Sequence, residues 1–208
     1  MVLNLTDDEV IAVANTLEIE WPFALPSVTA QELVPASLRG VRSLVARELA
    51  EMDRGGVTID DTVREPIEAM ANGDQYAVSY MALDSNPLAL VGSSTYMWGH
   101  DAVVVDMVTA GGLHSLLSTS RDAGIKVLVA TVENVFRLGY RESPSVADHA
   151  ALYSFSSAND GGRVLRTVRG RLDFGRFEHA ADSRGTVFVV DDTVTTFAFD
   201  RVTGLFFD

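Results

Sequence analysis

The sequence predicts an α+β fold with a central antiparallel β-sheet flanked by two helical bundles, and two observations lead to it. Apolar residues recur at helical spacing in residues 7–71 and then alternate, as in strands, in residues 75–109. The same order of helices and then strands returns in the second half, which indicates a quasi-two-fold α-β-α-β arrangement. One antiparallel sheet between two helical groups is the simplest way to bury both. We therefore expect a single domain over residues 1–208, with pseudo-halves of about 1–110 and 111–208.

Three helices are predicted before the first strands. Residues 6–9, Thr-Asp-Asp-Glu, form a capping-box pattern that starts a helix over Asp7–Leu17. Apolar residues at helical spacing from Leu38 to Met52 predict a second helix. A third helix is predicted from about Asp60 to Ala71. Pro66 lies inside it and is expected to shift its start or bend it, because proline lacks a backbone N–H.

Strands follow where the apolar period changes to two. They are predicted at Gln75–Leu83, Leu88–Met97 and Ala102–Thr109. Residues 98–101, Trp-Gly-His-Asp, join the last two as a hairpin. Gly111-Gly112 then breaks the chain and opens the second half.

The second half contains two predicted helices and a closing series of strands. One helix starts at Leu113 and runs to about Ala123, and another opens at Ser145 and runs through Phe155. Between them, Ile125–Val132 fits either a buried strand or a continuing helix, because periodicity cannot separate the two in a short apolar run. Alternation and turn residues predict that the chain closes on short strands. These are Arg171–Ala180, Thr186–Val190, Val194–Phe199 and Leu205–Phe207.

Composition and charge exclude several classes of protein. Hydrophobic residues make up 47% of the chain, so intrinsic disorder is not expected. The net charge of −13 argues against nucleic-acid binding, which needs basic residues to neutralise phosphates. No apolar run is long enough for membrane insertion, and the first residues lack the pattern of a secretory signal. The expected location is therefore the cytoplasm.

The sequence contains no recognisable catalytic, metal-binding or cofactor-binding motif. Cysteine is absent, and none of the four histidines pairs with another ligand at metal-binding spacing. Neither a nucleophile elbow nor a phosphate-binding loop is present. We therefore expect no enzyme activity, no metal and no cofactor, and a binding function gains weight. A hydrolase that uses Ser93 or Ser94 with His100 stays open as an alternative.

Clustered aromatic and methionine side chains are the candidates for a protein-binding surface. Tyr96, Met97 and Trp98 are expected at an exposed hairpin tip, and Tyr153 and Phe155 on the late helix. Residues of these types anchor protein interfaces well, although the same residues suit core packing equally. Exposed sheet edges also leave a homodimer open.

Both ends of the chain resemble the EspG family of type VII (ESX) secretion-associated proteins. Leu5–Val10 looks like the opening helix of that family, and Ala46–Leu49 looks like part of its second helix. The closing segment Phe197–Phe206 resembles its final strands, with an aromatic-Asp-x-x-x-Gly-x-aromatic pattern. The fold of the family, a central antiparallel sheet between two helical bundles, agrees with the order of elements given above.

The resemblance implies a non-enzymatic cytoplasmic chaperone that binds a PE–PPE-type heterodimeric substrate and keeps it soluble for type VII secretion. Family members contact the client through a loop of the first sheet region and through the later helical bundle. By position in the pattern, the partner-binding residues here are Met97, Trp98, Gly99, His100, Asp101, Tyr153 and Phe155. A ligand-binding or regulatory α+β module without a secretion client is the alternative.

Overall fold

The computed structural model describes most of the chain. The described residues are 2–21, 23, 25–73, 75–83, 86–98, 102–138, 149–156, 161–168, 171–179 and 186–207. The chain forms two compact units that alternate along the sequence. Unit 1 is Met1–Gly73 with Val104–Ser118, and unit 2 is Asp74–Val103 with Thr119–Asp208. The single domain with two pseudo-halves stays a prediction.

Helices and strands alternate in groups along the chain. In chain order they are β1 (Val2–Thr6), α1 (Asp7–Thr16), α2 (Leu33–Ala46), β2 (Ala50–Asp53), β3 (Gly56–Ile59), α3 (Asp61–Asn72), β4 (Gln75–Leu83), β5 (Asn86–Trp98), β6 (Ala102–Thr109), β7 (Leu113–Ser120), α4 (Arg121–Leu138), β8 (His149–Ser156), β9 (Gly161–Val168), β10 (Arg171–His179), β11 (Thr186–Val194) and α5 (Phe199–Phe207). A 3₁₀ turn at Ala30–Glu32 leads into α2. No described helix is long and apolar enough to cross a lipid bilayer.

The strands within each unit pair in antiparallel fashion. In unit 1, β1 pairs with β7, and β2 pairs with β3 as a short hairpin. In unit 2, β4 lies between β5 and β8, and the order continues through β9 and β10 to β11. The predicted α+β class with an antiparallel sheet is therefore confirmed.

α1 begins where the capping box predicts. The Glu9 backbone N–H donates to Thr6 Oγ1 at 3.3 Å, and the Thr6 N–H donates to the Glu9 carboxylate at 2.9 Å. Thr6 also ends β1, so the strand turns directly into the helix. The sequence pattern does not predict β1, because only Leu3 and Leu5 mark its buried face.

α2 packs against α1 at very short range. A Cβ atom at Gly40 would overlap the Asp8 carbonyl group and lie 2.7 Å from the Ala12 Cβ. Ala36 and Leu44, one turn away on either side, are fully buried. The absence of a side chain at Gly40 therefore sets the distance between the two helices.

The predicted extension of α2 to Met52 is wrong. Glu48 adopts a left-handed backbone conformation with φ of 60°, and the Leu49 N–H donates back to the Leu44 carbonyl at 2.9 Å. This is how many helices end, and α2 stops at Ala46. Met52 falls at a helical interval from the apolar residues of α2 but lies in the β2–β3 hairpin, where it is exposed.

α3 confirms the third predicted helix. Asp60 caps it by accepting a hydrogen bond of 2.8 Å from the Thr62 N–H. Pro66 lies inside the helix and removes one backbone hydrogen bond, yet the helix still starts at Asp61. The fully buried side chain of Ile67 helps to hold this segment in place.

The strand predictions at 75–83 and 102–109 are confirmed, but the predicted helix from Leu113 is wrong. β5 starts at Asn86, two residues earlier than expected. Leu113–Ser120 is strand β7, in which His114 and Leu116 are buried and their neighbours are more exposed. The leucines in this segment fit both a helical period and a period of two, and pairing with β1 decides the outcome.

Ile125–Val132, which fits either a strand or a helix in the sequence, lies within helix α4. Leu128, Val132 and Phe136 are buried and repeat at four-residue intervals, as expected for one face of a helix. Gly124 lies against Val103, and a Cβ atom there would approach the Val103 Cβ to 2.8 Å. The helix is therefore held by apolar packing within unit 2.

The prediction of a late helix from Ser145 through Phe155 is wrong for the residues that the structure describes. Residues 145–148 lie outside the described residues, and His149–Ser156 is strand β8. β4 pairs with one edge of β8 and β9 with the other. Hydrogen bonding along both edges outweighs a local helical pattern.

The closing strands are confirmed only in part. β10 and β11 form, but β11 continues to Val194 through Asp191 and Asp192, which separate two of the predicted strands. The pairing with β10 skips Asp191, which makes this position a β-bulge rather than a turn. The strands predicted at Val194–Phe199 and Leu205–Phe207 are wrong. β11 ends at Val194, and Phe199–Phe207 forms helix α5, in which Val202 is fully buried.

Candidate functional site

The predicted partner-binding residues at the end of β5 are buried. Met97 is 5% exposed, Trp98 is 7% exposed, and Tyr96 is fully buried. The expectation of an exposed hairpin tip is therefore wrong for these three residues. Residues 99–101, which complete the predicted segment, lie outside the described residues. A role of this segment in partner binding stays a prediction.

Tyr96 joins the end of β5 to α4. Its hydroxyl lies 2.9 Å from Thr131 Oγ1, and its ring stacks on Trp98 with centroids 6.3 Å apart. Burial raises the pKa of Tyr96, and hydrogen bonds with Thr131 and Ser94 oppose the shift only in part. A buried aromatic residue with a hydrogen-bonded hydroxyl is a packing element, so this pair belongs to the core of unit 2.

Tyr153 and Phe155 lie on strand β8 and not on a helix. In the pairing with β4, Tyr153 is opposite Val78 and Phe155 is opposite Tyr76. The helix expected to present them is therefore wrong, whereas their contact with a partner stays a prediction. Met97 also pairs with Tyr76, on the other edge of β4, so Met97 and Phe155 lie in the same row of the sheet with β4 between their strands.

A buried row of charged side chains in unit 1 is the strongest concentration of polar chemistry in the described residues. His114 Nε2 lies 2.7 Å from Asp7 Oδ1, and His114 Nδ1 lies 2.8 Å from Asp106 Oδ2. These three residues are at most 1% exposed. The Ser27 backbone N–H and hydroxyl both donate to Asp7 Oδ2 at 2.6 Å. We call these four residues the His114 cluster.

Local backbone geometry positions the His114 cluster. Asp7 is the first residue of α1, and its N–H donates to the Gly112 carbonyl at 2.9 Å. Gly112 has φ of 73°, and a Cβ atom there would overlap the Asp7 carboxylate and lie 2.5 Å from Ser27 Oγ. Glycine is the residue that suits this turn, because it accepts a positive φ and leaves room for the carboxylate.

The two carboxylates keep His114 charged. Burial by itself lowers the pKa of His114, but hydrogen bonds to Asp106 and Asp7 and their negative charges raise it to about 9. Burial by itself raises the pKa of Asp7, but hydrogen bonds from His114 and Ser27 outweigh it and lower this pKa. The cluster is therefore a buried imidazolium clamped between two acidic groups at neutral pH.

The His114 cluster has the residue types of a hydrolase but not the connectivity. In a nucleophilic triad the serine is hydrogen-bonded to the histidine ring, whereas Ser27 is bonded to Asp7. Both ring nitrogens of His114 face carboxylates, so neither is available to take a proton from a substrate. The described residues also hold no group of three or more ligating side chains placed for a metal ion. The arrangement ties α1, β6 and β7 together.

Sequence reasoning misses this cluster although one signal is present. Asp106 interrupts the apolar run of β6, and a carboxylate buried in a strand needs a partner. His114 lies on the buried face of Leu113–Ser120 because that segment is a strand. The helix predicted for that segment therefore conceals the partner of Asp106.

Exposed apolar side chains are most concentrated at the start of α2. Among the described residues there, Val34 is 71% exposed, Leu38 is 58% exposed and Leu33 is 41% exposed. Large exposed aliphatic side chains within two helical turns form a surface that differs from isolated exposed residues. This surface lies outside every segment that the sequence predicts for partner binding.

Comparison with known proteins shows a likeness in fold without a likeness in sequence. No family model matches the chain, and no curated protein matches it. Among solved structures, it is similar to the Mycobacterium tuberculosis type VII secretion system chaperone EspG5, determined in complex with a PE25–PPE41 dimer. The match has a TM-score of 0.50 and covers 92% of this chain and 91% of that chain, at 8% identity. The fold is EspG-like.

Proposed function

We propose that the chain is a non-enzymatic cytoplasmic chaperone for type VII (ESX) secretion, which binds a PE–PPE-type heterodimer and keeps it soluble. The supporting observation is the likeness in fold to EspG5 over 92% of this chain, since that chaperone is bound to a PE25–PPE41 dimer in its structure. The net charge of −13 suits this role, because a strongly charged carrier resists association with other carriers.

The proposed client contact combines residues 99–101 with Tyr153 and Phe155 on β8. Met97 and Trp98, which are buried, directly precede residues 99–101 in the sequence. Met97 and Trp98 therefore support the contact rather than provide its exposed surface.

Co-expression with PE–PPE-type pairs encoded in the same genome tests the proposed function. We expect one pair to co-elute with the chaperone in gel filtration and to be more soluble with it than without it. The proposal is wrong if every such pair elutes separately and is equally soluble alone. A ligand-binding module would instead give a thermal shift with a metabolite and no complex with any pair.

A double substitution, His100→Ala with Asp101→Ala, tests the proposed contact. We expect client affinity to fall by about tenfold or more, because central interface residues carry most of the binding energy. Glu51→Ala is the matched control, since Glu51 is exposed on the hairpin of unit 1. Equal binding by both variants, with unchanged urea midpoints, would show that the client contact lies outside residues 99–101.

A further inference from the structure

α2 has a second apolar face besides the one that packs on α1. The inner face carries Ala36, Gly40 and Leu44, which are buried. At 100° per residue, another set of apolar side chains projects from the other side of the helix. We call this set the outer stripe; its members are Val34, Leu38, Val41 and Val45.

The outer stripe has the spacing that a second helix would need. Its members recur at intervals of four, three and four residues, which is the pattern of helices packed side by side. Val34 is 71% exposed and Leu38 is 58% exposed, whereas Val41 and Val45 are half-buried. The stripe therefore remains accessible at the N-terminal end of α2, where no described element covers it.

Charge along α2 indicates the kind of partner. α2 contains two arginines and no acidic residue, in a chain with a net charge of −13. Arg39 is engaged by Asp8, which accepts hydrogen bonds of 2.7 and 2.9 Å from its guanidinium. Arg42 is exposed and pairs with no described carboxylate. It follows Leu38 by one turn, so its guanidinium lies beside the stripe.

The size of the stripe and the charge of the chain favour a foreign helix over a second copy. A helix of this length is about 21 Å long, so its face offers a few hundred Å². A stable dimer buries about 800 Å² on each partner. A second copy would also bring arginines of the same helix together and join two chains that each carry −13.

We propose that the outer stripe docks an amphipathic helix of another protein, whose apolar face covers Val34 and Leu38 and whose acidic residue pairs with Arg42. This inference does not rest on the proposed client, since the stripe belongs to unit 1 and the proposed client contact residues belong to unit 2. The stripe supplies the affinity, and Arg42 selects the charge of the partner.

Labelled protein and two synthetic peptides test the proposal. The chain has no cysteine, so Ser37→Cys gives a unique site at the edge of the stripe for an environment-sensitive dye. One peptide is an amphipathic helix of the length of α2 with glutamates beside its apolar face, and the other has lysines instead. We expect the glutamate peptide to bind about tenfold more tightly, and Arg42→Glu to reverse this preference.

Two exposed apolar residues provide a matched pair of variants. Leu38 is 58% exposed and Met52 is 59% exposed, so the two substitutions change side chains of similar exposure. Leu38→Asp should abolish binding of the glutamate peptide because Leu38 belongs to the outer stripe, whereas Met52→Asp, on β2, should leave binding unchanged. Unchanged urea midpoints show that both variants fold. The proposal is overturned if neither peptide binds, if both bind equally, or if Leu38→Asp binds normally. A dimer in sedimentation that Leu38→Asp dissociates would also overturn it, in favour of a second copy.

Discussion

Asp7 in unit 1 and Asp173 in unit 2 are both buried carboxylates, and their charges are satisfied in different ways. In unit 1, Asp7 is bonded to His114, whose side chain is fully buried. In unit 2, Asp173 is 1% exposed, but Arg171, whose Nε lies 2.9 Å from Asp173 Oδ1, is 48% exposed. The Thr193 hydroxyl also donates to Asp173 at 2.9 Å. Asp7 is thus paired with a fully buried cation, His114, and Asp173 is paired with a half-exposed cation, Arg171.

The comparison shows where removal of the cation should destabilise the fold and where water can take its place. Removing the buried His114 would leave charges that water cannot reach, whereas removing the half-exposed Arg171 would open the buried Asp173 to water. The His114 cluster should therefore dominate the stability of unit 1, and the Arg171–Asp173 pair should contribute little to unit 2.

His114→Ala is expected to have the largest effect. It leaves two buried carboxylates without their cation, which typically costs about 3–5 kcal/mol in the free energy of unfolding. Urea denaturation at pH 7 measures this change. Ser115→Ala, the next residue on β7, is the control and should cost about 1 kcal/mol, because it loses a single hydrogen bond to Asn4. A cost below that of the control would show that the cluster is not a clamp.

The pH dependence of stability tests the charge of His114 directly. Its pKa of about 9 in the folded state lies above the ordinary value of 6.5, so the stabilisation is complete below pH 6.5 and is lost as the pH rises through 9. The expected loss between these limits is about 3 kcal/mol. Urea midpoints across this range should fall more steeply for the native chain than for His114→Gln. Parallel curves would contradict a charged His114.

Gly112→Ala tests whether the cluster tolerates any added volume. The new methyl group would meet the Asp7 carboxylate and strain a backbone with φ of 73°, so we expect a loss of about 1–3 kcal/mol. Gly111→Ala is a close control, because a Cβ atom there would approach only Thr109 Oγ1, at 3.9 Å. Thermal unfolding should separate the two variants, and equal melting temperatures would contradict close packing at Gly112.

Arg171→Ala is expected to have the smallest effect, about 1 kcal/mol or less, because a half-exposed arginine is replaced by water. The effect should also shrink in 1 M NaCl, about the concentration at which surface charges are screened within 3 Å. Urea denaturation at two salt concentrations measures both quantities. A loss as large as that of His114→Ala would remove the distinction between the two sites.

Sequence periodicity predicts the elements whose local signals agree with their surroundings. The capping box at Thr6 and Glu9 starts α1, and Asp60 starts α3, because caps act within a few residues. β4 follows from alternation, and β6 follows from a run of β-branched apolar residues. Interior strand β8 and helix α5 could not be predicted in this way, since pairing and packing with distant segments decide their structure.

The candidate sites show the same division between local and distant information. Asp7 is correctly predicted at a helix N-terminus, but its hydrogen bond to His114 spans 107 positions and leaves no local pattern. Tyr96 and Trp98 have the composition of an interface, yet burial depends on α4, which covers Tyr96 through Thr131. The outer stripe of α2 is visible in the sequence, whereas its exposure is not.

The order in which unit 1 is completed has a consequence for synthesis on the ribosome. β1 pairs with β7, and the intervening residues 74–103 belong to unit 2. α1, α2 and α3 therefore emerge long before His114 and Leu113–Ser118 can close the unit. Until then the nascent chain carries an unpaired strand edge and a carboxylate without its cation, both of which disfavour the compact state. Emergence of β7 supplies both the strand that pairs with β1 and the cation that pairs with Asp7.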